Sequence, residues 1–135
     1  MPAQKITVNG VSFNCAIDGR EGAPWITFSN SLATNLTMWD AQVEALKDDY
    51  RMLRYDKRGH GKTEAVEGPY NWNMLVGDVV ALWDELNIEK SHFVGLSMGG
   101  MTAFGLAQDH ADRLIGTVAT NTRADAPAEF VEGWT

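Results

Sequence analysis

Short apolar strands alternate with amphipathic helices along most of this chain, and this alternation is the strongest constraint on its fold. Strands are predicted at residues 25–28, 52–55, 92–94 and 114–119, and helices at residues 38–46, 73–86 and 101–108. Strands that are joined through helices run parallel, and their right-handed crossovers place helices against the faces of the sheet. We therefore predict an α/β fold with a mostly parallel sheet and helices on both faces.

An antiparallel hairpin is predicted before the alternating segments begin. Apolar residues alternate with polar ones on both sides of Asn9-Gly10, a pair typical of a type I′ turn between two strands. The alternating apolar positions are Ile6, Val8, Val11, Phe13, Cys15 and Ile17. The chain is therefore expected to open with an antiparallel pair of strands.

The helical segments supply apolar side chains for a predicted core. Residues 73–86 carry one broad apolar stripe, whereas Asp78, Asp84 and Glu85 are predicted to lie elsewhere on the helix surface. Cys15 is interpreted as a small hydrophobic residue, because nothing near it in the sequence indicates a lowered thiol pKa. Four further residues at helical spacing are predicted to line the core or a pocket wall: Trp39, Trp72, Trp83 and Met101.

Charge and composition exclude several classes of function. The 135 residues include 11 basic and 18 acidic side chains, which give a formal net charge of −7. Such a chain would be repelled by a nucleic-acid backbone or an anionic membrane, so neither is expected as a partner. No apolar run approaches the roughly 18 residues of a membrane span, and the first residues do not resemble a secretory signal. Because the sequence also has one cysteine, we expect a cytoplasmic protein.

A glycine-rich turn joins the strand at 92–94 to the helix that follows it. The turn reads Gly95-Leu96-Ser97-Met98-Gly99-Gly100, a GxSxG pattern that is typical of a nucleophile elbow between a strand and a helix. A serine in such a strained turn projects its Oγ away from the sheet, and the flanking glycines allow close backbone approach. We therefore predict Ser97 as a catalytic nucleophile, with Gly95 and Gly99 shaping the elbow. The alternative is a glycine-rich turn whose serine has no catalytic role.

Three loops are expected to meet at the carboxyl ends of the parallel strands. They begin at Ser29, Asp56 and Gly95. In such sheets, ligands bind in the crevice outside those strand ends. A serine nucleophile there needs backbone N–H groups that stabilise an oxyanion, and the residue after the serine normally supplies one. We predict this oxyanion hole from the backbone of Met98 and of Leu32, with Ser31 as a neighbouring candidate.

At these residues the chain resembles the N-terminal half of an α/β-hydrolase, and it is most similar to 3-oxoadipate enol-lactonases and related carboxylesterases and haloperoxidases. The stretch Ser29-Asn30-Ser31-Leu32 favours the enol-lactonases, because many other α/β-hydrolases have His-Gly at its two central positions. The further similar stretches lie within residues 5–122 and are Met38-Trp39-Asp40, Arg54-Tyr55-Asp56, Arg58-Gly59-His60-Gly61, Gly68-Pro69-Tyr70 and residues 92–101.

The resemblance implies a serine hydrolase that acts on a small carboxylic ester or lactone without a metal or organic cofactor. Ser97 would attack the carbonyl carbon and form an acyl-enzyme, which water would then hydrolyse. Cofactor-free perhydrolysis by the same serine, as in haloperoxidases, is the alternative within enzymes. From another class, the competing hypothesis is a catalytically silent scaffold or binding module in which no base is positioned beside the serine.

The family order places the catalytic acid and then the histidine after the serine. Only one histidine, His110, follows Ser97 in this sequence. It is expected to end the helix after the elbow, where its charge suits the helix C-terminus, and His92 is expected at the far end of the preceding strand. Neither histidine is therefore predicted as the base.

Two other residues are candidates for the missing catalytic groups. His60 lies in the loop after Asp56 and is a candidate substitute base, because imidazole is the commonest general base. Asp125 follows the last predicted strand on the crevice side and is a candidate acid. Asp56 and Arg58 are expected to brace their loop rather than to contact substrate.

Residues 1–135 are predicted to form the N-terminal part of a single α/β-hydrolase core domain, with a truncated lid region that begins near Pro127. A strand at 114–119 with no following strand beside it would leave unpaired backbone groups at a sheet edge. The expected partner is therefore a complementary C-terminal hydrolase fragment, from cleavage or a split gene, that carries the acid and the histidine.

Overall fold

The computed structural model describes residues 4–30, 36–56 and 72–120, which form a six-stranded sheet with helices against it. The strands are β1 (Gln4–Val8), β2 (Val11–Gly19), β3 (Trp25–Ser29), β4 (Arg51–Tyr55), β5 (Ser91–Leu96) and β6 (Leu114–Thr120). The helices are α1 (Asp40–Leu46), α2 (Trp72–Glu85) and α3 (Met98–Asp109), and short 3₁₀ turns cover Leu36–Trp39 and Ala111–Arg113.

Strand directions divide the sheet into an antiparallel and a parallel part. Across the sheet the order is β1-β2-β4-β3-β5-β6. β2 pairs antiparallel with β1 and β4, whereas β3 pairs parallel with β4 and β5, and β5 pairs parallel with β6. From β3 onward, each parallel strand is connected to the next one in sequence through a helix, as the alternation of the sequence predicts. The predicted α/β class and the opening hairpin are both confirmed.

The turn between β1 and β2 has the predicted two-residue form. Asn9 has a φ of 51° and Gly10 a φ of 74°, the positive values that a type I′ turn requires at both positions. Asn9 also reaches α2, where its Nδ2 donates a hydrogen bond to Asp78 Oδ1 at 3.2 Å. Asp78 is only 2% exposed, so its predicted surface position is wrong: the hairpin turn covers that side of α2.

Apolar clusters fill both faces of the sheet. On one face α2 and α3 pack over the hairpin and β5, and the rings of Trp83 and Phe93 meet edge to face at 6.3 Å. On the other face α1 and the 3₁₀ turn before it pack over β3 and β4. Trp39, Trp83 and Met101 are all buried, as predicted. The side chain of Trp72 lies outside the described residues.

β5 and α3 are both longer than the apolar periodicity predicts. β5 extends to Leu96 because its backbone pairs with β6, where Leu96 lies opposite Thr120. α3 begins at Met98, and the N–H of Met101 donates to the carbonyl of Ser97 at 3.0 Å. The glycines of this segment interrupt the apolar pattern, so the sequence underestimates both elements. As a result, Ser97 is the single residue between the strand and the helix.

β6 lies at the edge of the sheet and, within the described part of the chain, pairs only with β5. Ile115 is 50% exposed and Val118 is 55% exposed. On the adjacent α3, Phe104 is 40% exposed. The uncovered edge strand expected from the sequence is therefore present among these residues.

Candidate active site

Ser97 occupies a strained backbone position between β5 and α3. Its φ of 56° and ψ of −110° lie outside the left-handed region that Asn and Gly commonly adopt in turns. Both of its backbone groups are held, because its N–H donates to the carbonyl of Thr120 at 2.8 Å and its carbonyl accepts from Met101. The sharp strand-to-helix turn predicted from the sequence is therefore present, and it presents a half-buried serine.

Gly95 and Gly99 are required by the close packing of this turn. A Cβ on Gly95 would overlap the backbone carbonyl of Gly99. A Cβ on Gly99 would overlap the carbonyl of Ser29, at the end of β3. Neither overlap could be relieved by a side-chain rotation, because the nearest contacted atoms are backbone carbonyl atoms. The two glycines therefore shape the turn in the way that the sequence predicts.

The carboxyl ends of β3, β4 and β5 lie side by side at this turn. Ser29 is in register with Tyr55 of β4 on one side and with Gly95 of β5 on the other. The strand ends from which the predicted loops leave are therefore adjacent, and most of the loops after β3 and β4 lies outside the described residues. The Ser29 Oγ and the Tyr55 hydroxyl are also hydrogen-bonded at 2.9 Å, and both residues are buried. Burial raises the pKa of Tyr55, although the bond to Ser29 opposes this, so the phenol is neutral at pH 7.

Asn30, the first residue after β3, connects three elements through its buried amide. Its Nδ2 donates to the carbonyl of Tyr55 at 3.1 Å and contacts Asp56 Oδ1 at 3.5 Å. Its Oδ1 accepts a hydrogen bond of 2.8 Å from the indole Nε1 of Trp39. Asn30 is 1% exposed, so these bonds replace the water that a buried amide loses.

Asp56, the first residue after β4, is held from two sides. Its Oδ2 accepts a hydrogen bond of 2.9 Å from Asn14 Nδ2, and its own N–H donates to the Asn14 carbonyl at 2.9 Å. Asn30 adds a second amide contact to this carboxylate, and Asp56 is 1% exposed. Asp56 therefore braces the start of its loop, as predicted, through amide partners on β2 and after β3. Arg58, its predicted companion, lies outside the described residues.

Met98 is the first residue of α3 and follows Ser97 directly. It is 2% exposed, and its carbonyl accepts a hydrogen bond from Thr102 Oγ1 at 3.1 Å. N–H groups in the first turn of a helix have no acceptor within the helix and lie at the positive end of its dipole. The Met98 N–H therefore suits an oxyanion beside Ser97. Leu32 and Ser31, the candidates for the second donor, lie outside the described residues.

The two described histidines lie away from the elbow. His92 is the second residue of β5, at the opposite end of the strand from Ser97, and its ring meets that of Tyr50 edge to face at 6.1 Å. His110 caps the C-terminus of α3, and its N–H donates to the carbonyl of Leu106. A helix of 12 residues spans about 18 Å, so His110 is far from the serine. Both predicted placements are confirmed.

Besides those on the Trp72 side chain and on Arg58, four predictions fall on parts of the chain that the structure does not describe. They concern His60 as a substitute base, Asp125 as an acid, Pro127 as the start of the lid, and the second oxyanion donor. Among the described residues, no three His, Cys, Asp or Glu side chains are grouped so as to hold a metal ion. Within the same ranges, no helix is both long enough and apolar enough to cross a membrane.

Cys15 lies in the core of the hairpin side of the sheet and has 0% exposure. Burial, followed by the negative charge of Asp56, raises its pKa from 9.0 to about 12, although Lys5 opposes this. Because the thiolate is the nucleophilic form, Cys15 is not a second nucleophile. The interpretation of this residue as a small hydrophobe is confirmed.

The sequence pattern does not predict the polar residues that hold the strand ends together. Asn14 reads as a solvent-facing residue of an alternating strand, yet it is 6% exposed and is bonded to Asp56, 42 positions away. Helical spacing predicts only an apolar role for Trp39, whereas its indole N–H donates a hydrogen bond to Asn30. The signal that could have indicated these contacts is the concentration of Asn, Asp and Ser at the ends of adjacent strands. Their pairing depends on strand order, which the sequence pattern does not specify.

Comparisons of sequence and structure identify relatives with the fold described above. The model of the alpha/beta hydrolase fold family matches residues 24–134. The chain is 45% identical to 3-oxoadipate enol-lactonase 1 of Acinetobacter baylyi over 93% of its own length and 46% of that protein's. The chain is 41% identical to 3-oxoadipate enol-lactonase 2 of the same organism, over 88% of its own length and 45% of that protein's. The crystal structure of the enol-lactonase from Burkholderia xenovorans LB400 has 50% identity and a TM-score of 0.86, over 88% of this chain and 46% of that one. The chain therefore spans slightly less than half the length of these relatives.

Proposed function

The chain belongs to the α/β-hydrolase family, as its motifs predict, and we propose that it supplies the nucleophile of a serine hydrolase for small carboxylic esters or lactones. The observation that carries this proposal is the backbone of Ser97, whose φ of 56° is held by hydrogen bonds on both sides. Strain of this kind persists only where the surrounding structure enforces it, and it is typical of nucleophile elbows. The relatives named as 3-oxoadipate enol-lactonases favour an enol-lactone as the substrate.

In the proposed reaction, the Oγ of Ser97 attacks the carbonyl carbon of the ester or lactone. A base takes the hydroxyl proton, and the oxyanion is stabilised by the N–H of Met98 and by a second backbone N–H, assigned to Leu32 or Ser31. The bond to the leaving oxygen then breaks, that oxygen receives the proton from the base, and an acyl-enzyme remains. Attack by water, assisted by the same base, releases the acid and restores the serine. In a lactone the leaving oxygen stays attached to the acyl chain, so a single product forms.

The base and its orienting acid are proposed to come from a complementary C-terminal hydrolase segment. The described histidines lie away from Ser97, and the chain spans less than half of the enol-lactonases it matches. The exposed edge of β6, with Ile115 and Val118, is the proposed docking place, because an edge strand offers unpaired backbone groups to a further strand. His60 and Asp125 are the alternative candidates within this chain.

A fluorophosphonate probe tests the nucleophile. We expect it to label Ser97 when the complementary segment is present, and we expect Ser97→Ala to abolish that labelling. Ser12→Ala is a matched control, because Ser12 is a partly buried serine of β2 that lies outside the proposed site. Wild-type protein that resists the probe while bound to its complementary segment would support the catalytically silent scaffold instead.

The need for a second segment is tested by mass spectrometry combined with an activity assay. We expect active preparations to contain a species besides the chain of 14.9 kDa. If a preparation that contains only this chain hydrolyses esters as fast as one that contains both species, the complementary segment is not required. His60→Gln would then test the base within this chain.

A substrate comparison tests the chemical class. We expect kcat/KM for 3-oxoadipate enol-lactone to exceed that for a neutral ester such as p-nitrophenyl acetate. Turnover of neutral esters with none of the enol-lactone would reject the enol-lactone assignment. Peroxide-dependent formation of a peracid by the same serine would support the perhydrolase alternative.

A further inference from the structure

Four buried polar side chains join the strand ends around the proposed active site, and we call them the Asn30 cluster. They come from β2 (Asn14), from the residues after β3 (Asn30) and β4 (Asp56), and from the 3₁₀ turn before α1 (Trp39). Each is at most 7% exposed. Trp39 donates a hydrogen bond of 2.8 Å to Asn30, and Asn14 donates one of 2.9 Å to Asp56. A contact of 3.5 Å between Asn30 and Asp56 connects the two pairs.

The hydrogen bonds of the cluster fix which way round the Asn30 amide lies. The amide nitrogen of Asn30 faces the Asp56 carboxylate and the Tyr55 carbonyl, and its oxygen faces the indole N–H of Trp39. A rotated amide would place its N–H₂ against the indole N–H and its oxygen against a carboxylate. The hydrogen bonds therefore specify the orientation of the Asn30 amide and hold this residue against the end of β4 and Trp39.

Stability alone does not explain why these positions are polar. Burying amides and a carboxylate costs free energy that their mutual hydrogen bonds only offset, and apolar residues of similar size are often no less stable. Satisfied polar networks do rigidify and specify one arrangement. The cluster lies one residue from Ser29, whose carbonyl contacts Gly99 in the first turn of α3.

We propose that the Asn30 cluster holds the end of β3 in register with the nucleophile elbow, and that Asn30 and Trp39 are positioning residues for the acylation of Ser97. This inference rests on the proposed hydrolase function. A shift at Asn30 moves Ser29, and the contact between Ser29 and Gly99 passes that shift to the helix turn that carries the Met98 N–H. Because a preorganised donor must lie within about 0.5 Å of its productive position, which is about 2.7–3.1 Å from the oxyanion, a small shift there lowers the rate of acylation.

A pair of matched substitutions tests this inference in the complete enzyme. Trp39→Phe removes the indole N–H that bonds Asn30, and Trp83→Phe removes the indole N–H that donates to Thr27 Oγ1 at 2.9 Å in the core. Both changes keep an aromatic ring and remove one buried indole donor. We expect Trp39→Phe to lower kcat and the labelling rate of Ser97 by between about 10- and 100-fold, with KM unchanged. Both variants should lower the melting temperature by similar amounts. Trp83→Phe, however, should leave kcat within about twofold of wild type.

A charge exchange within the cluster supplies a second, independent test. Asn30→Asp places a carboxylate against Asp56, where the two negative charges repel each other, so we expect a loss of kcat at least as large as that of Trp39→Phe. Adding Asp56→Asn restores an amide opposite a carboxylate, and kcat should recover at least about tenfold. Recovery of the melting temperature without recovery of kcat would contradict a positioning role.

The outcomes separate the inference from the function on which it rests. If wild-type enzyme shows no labelling and no hydrolysis, the proposed function is wrong. If wild-type enzyme is active and Trp39→Phe loses no more kcat than Trp83→Phe, the hydrolase stands and the positioning role is wrong.

Discussion

Gly99 lies directly against the carbonyl group of Ser29, so the first turn of α3 and the end of β3 are too close for a side chain at position 99. Gly95 makes the equivalent contact with Gly99 from within β5. Ser97, whose backbone is strained, lies between these two glycines. The position of the proposed nucleophile is therefore set by backbone packing among β3, β5 and α3, which side-chain rearrangement cannot relax.

Substituting Gly99 should disrupt the elbow. Gly99→Ala would force the end of β3 away from α3, because its methyl group overlaps the Ser29 carbonyl. We expect labelling of Ser97 to fall at least about 100-fold and the free energy of unfolding to fall by about 1–3 kcal/mol, measured by urea denaturation. Gly77→Ala is the matched control, since a Cβ there meets no atom within 4 Å. Gly77→Ala lies in the interior of α2 and should stabilise the protein by up to about 1 kcal/mol. Retention of Ser97 labelling in Gly99→Ala would refute the steric argument.

Relieving the strain at Ser97 should separate stability from activity. Ser97→Gly removes the side chain from a backbone conformation with a φ of 56°, so we expect the free energy of unfolding to rise by about 1 kcal/mol while hydrolysis is lost. Ser97→Ala keeps a Cβ and should lose hydrolysis without that gain. Equal stabilities of the two variants, measured by chemical denaturation, would mean that the position is not strained.

Alkaline pH should weaken the fold through two buried groups. Burial raises the pKa of the Cys15 thiol from 9.0 to about 12 and also raises that of the Tyr55 hydroxyl. A group with a higher pKa in the folded state stabilises the fold below its unfolded pKa, and this contribution is lost as pH rises through the folded pKa. We therefore expect the free energy of unfolding to decrease from about pH 9 upward, by at most about 1.4 kcal/mol per pH unit for each group.

Cys15→Ala isolates the contribution of the thiol to this pH dependence. The variant should show a shallower decrease between pH 9 and pH 11 in urea titrations, whatever its stability at pH 7. An unchanged slope would show that the thiol does not contribute. In the native wild-type protein, Cys15 should also resist alkylation by iodoacetamide at pH 8, because the thiolate fraction is very small.

A charge on β6 should weaken docking of the proposed complementary segment. Val118 is 55% exposed on the edge strand, so Val118→Lys should change the stability of this chain by no more than about 0.5 kcal/mol. Burial of that lysine in the assembled enzyme would be costly, and we expect Kd for the segment, measured by calorimetry, to rise at least about tenfold. Thr7→Lys adds the same charge to an exposed position of β1, at the opposite edge of the sheet. Equal affinities for the two variants would place the interface away from β6.

Much of the fold could be predicted because its signals are local. The Asn9-Gly10 turn, the apolar stripe of α2 and the glycines around Ser97 each specify a conformation over a few neighbouring residues. Boundaries were less accurate where glycines interrupted the pattern, as at the end of β5 and the start of α3. There the strand and the helix extend because they are paired and packed against other elements.

The sequence by itself determined the α/β class, the opening hairpin and the strained serine between a strand and a helix, since these follow from backbone preference and the period of apolar residues. Only the tertiary structure decided which polar side chains meet. Asn14 bonds Asp56 across 42 positions and Asn9 bonds Asp78 across 69, and in both pairs a carboxylate is buried. Such partners depend on the strand order β2-β4-β3-β5 and on how the hairpin packs over α2. Strand order and helix packing depend on which side chains are buried across the whole chain, and a pattern of neighbouring residues does not specify them.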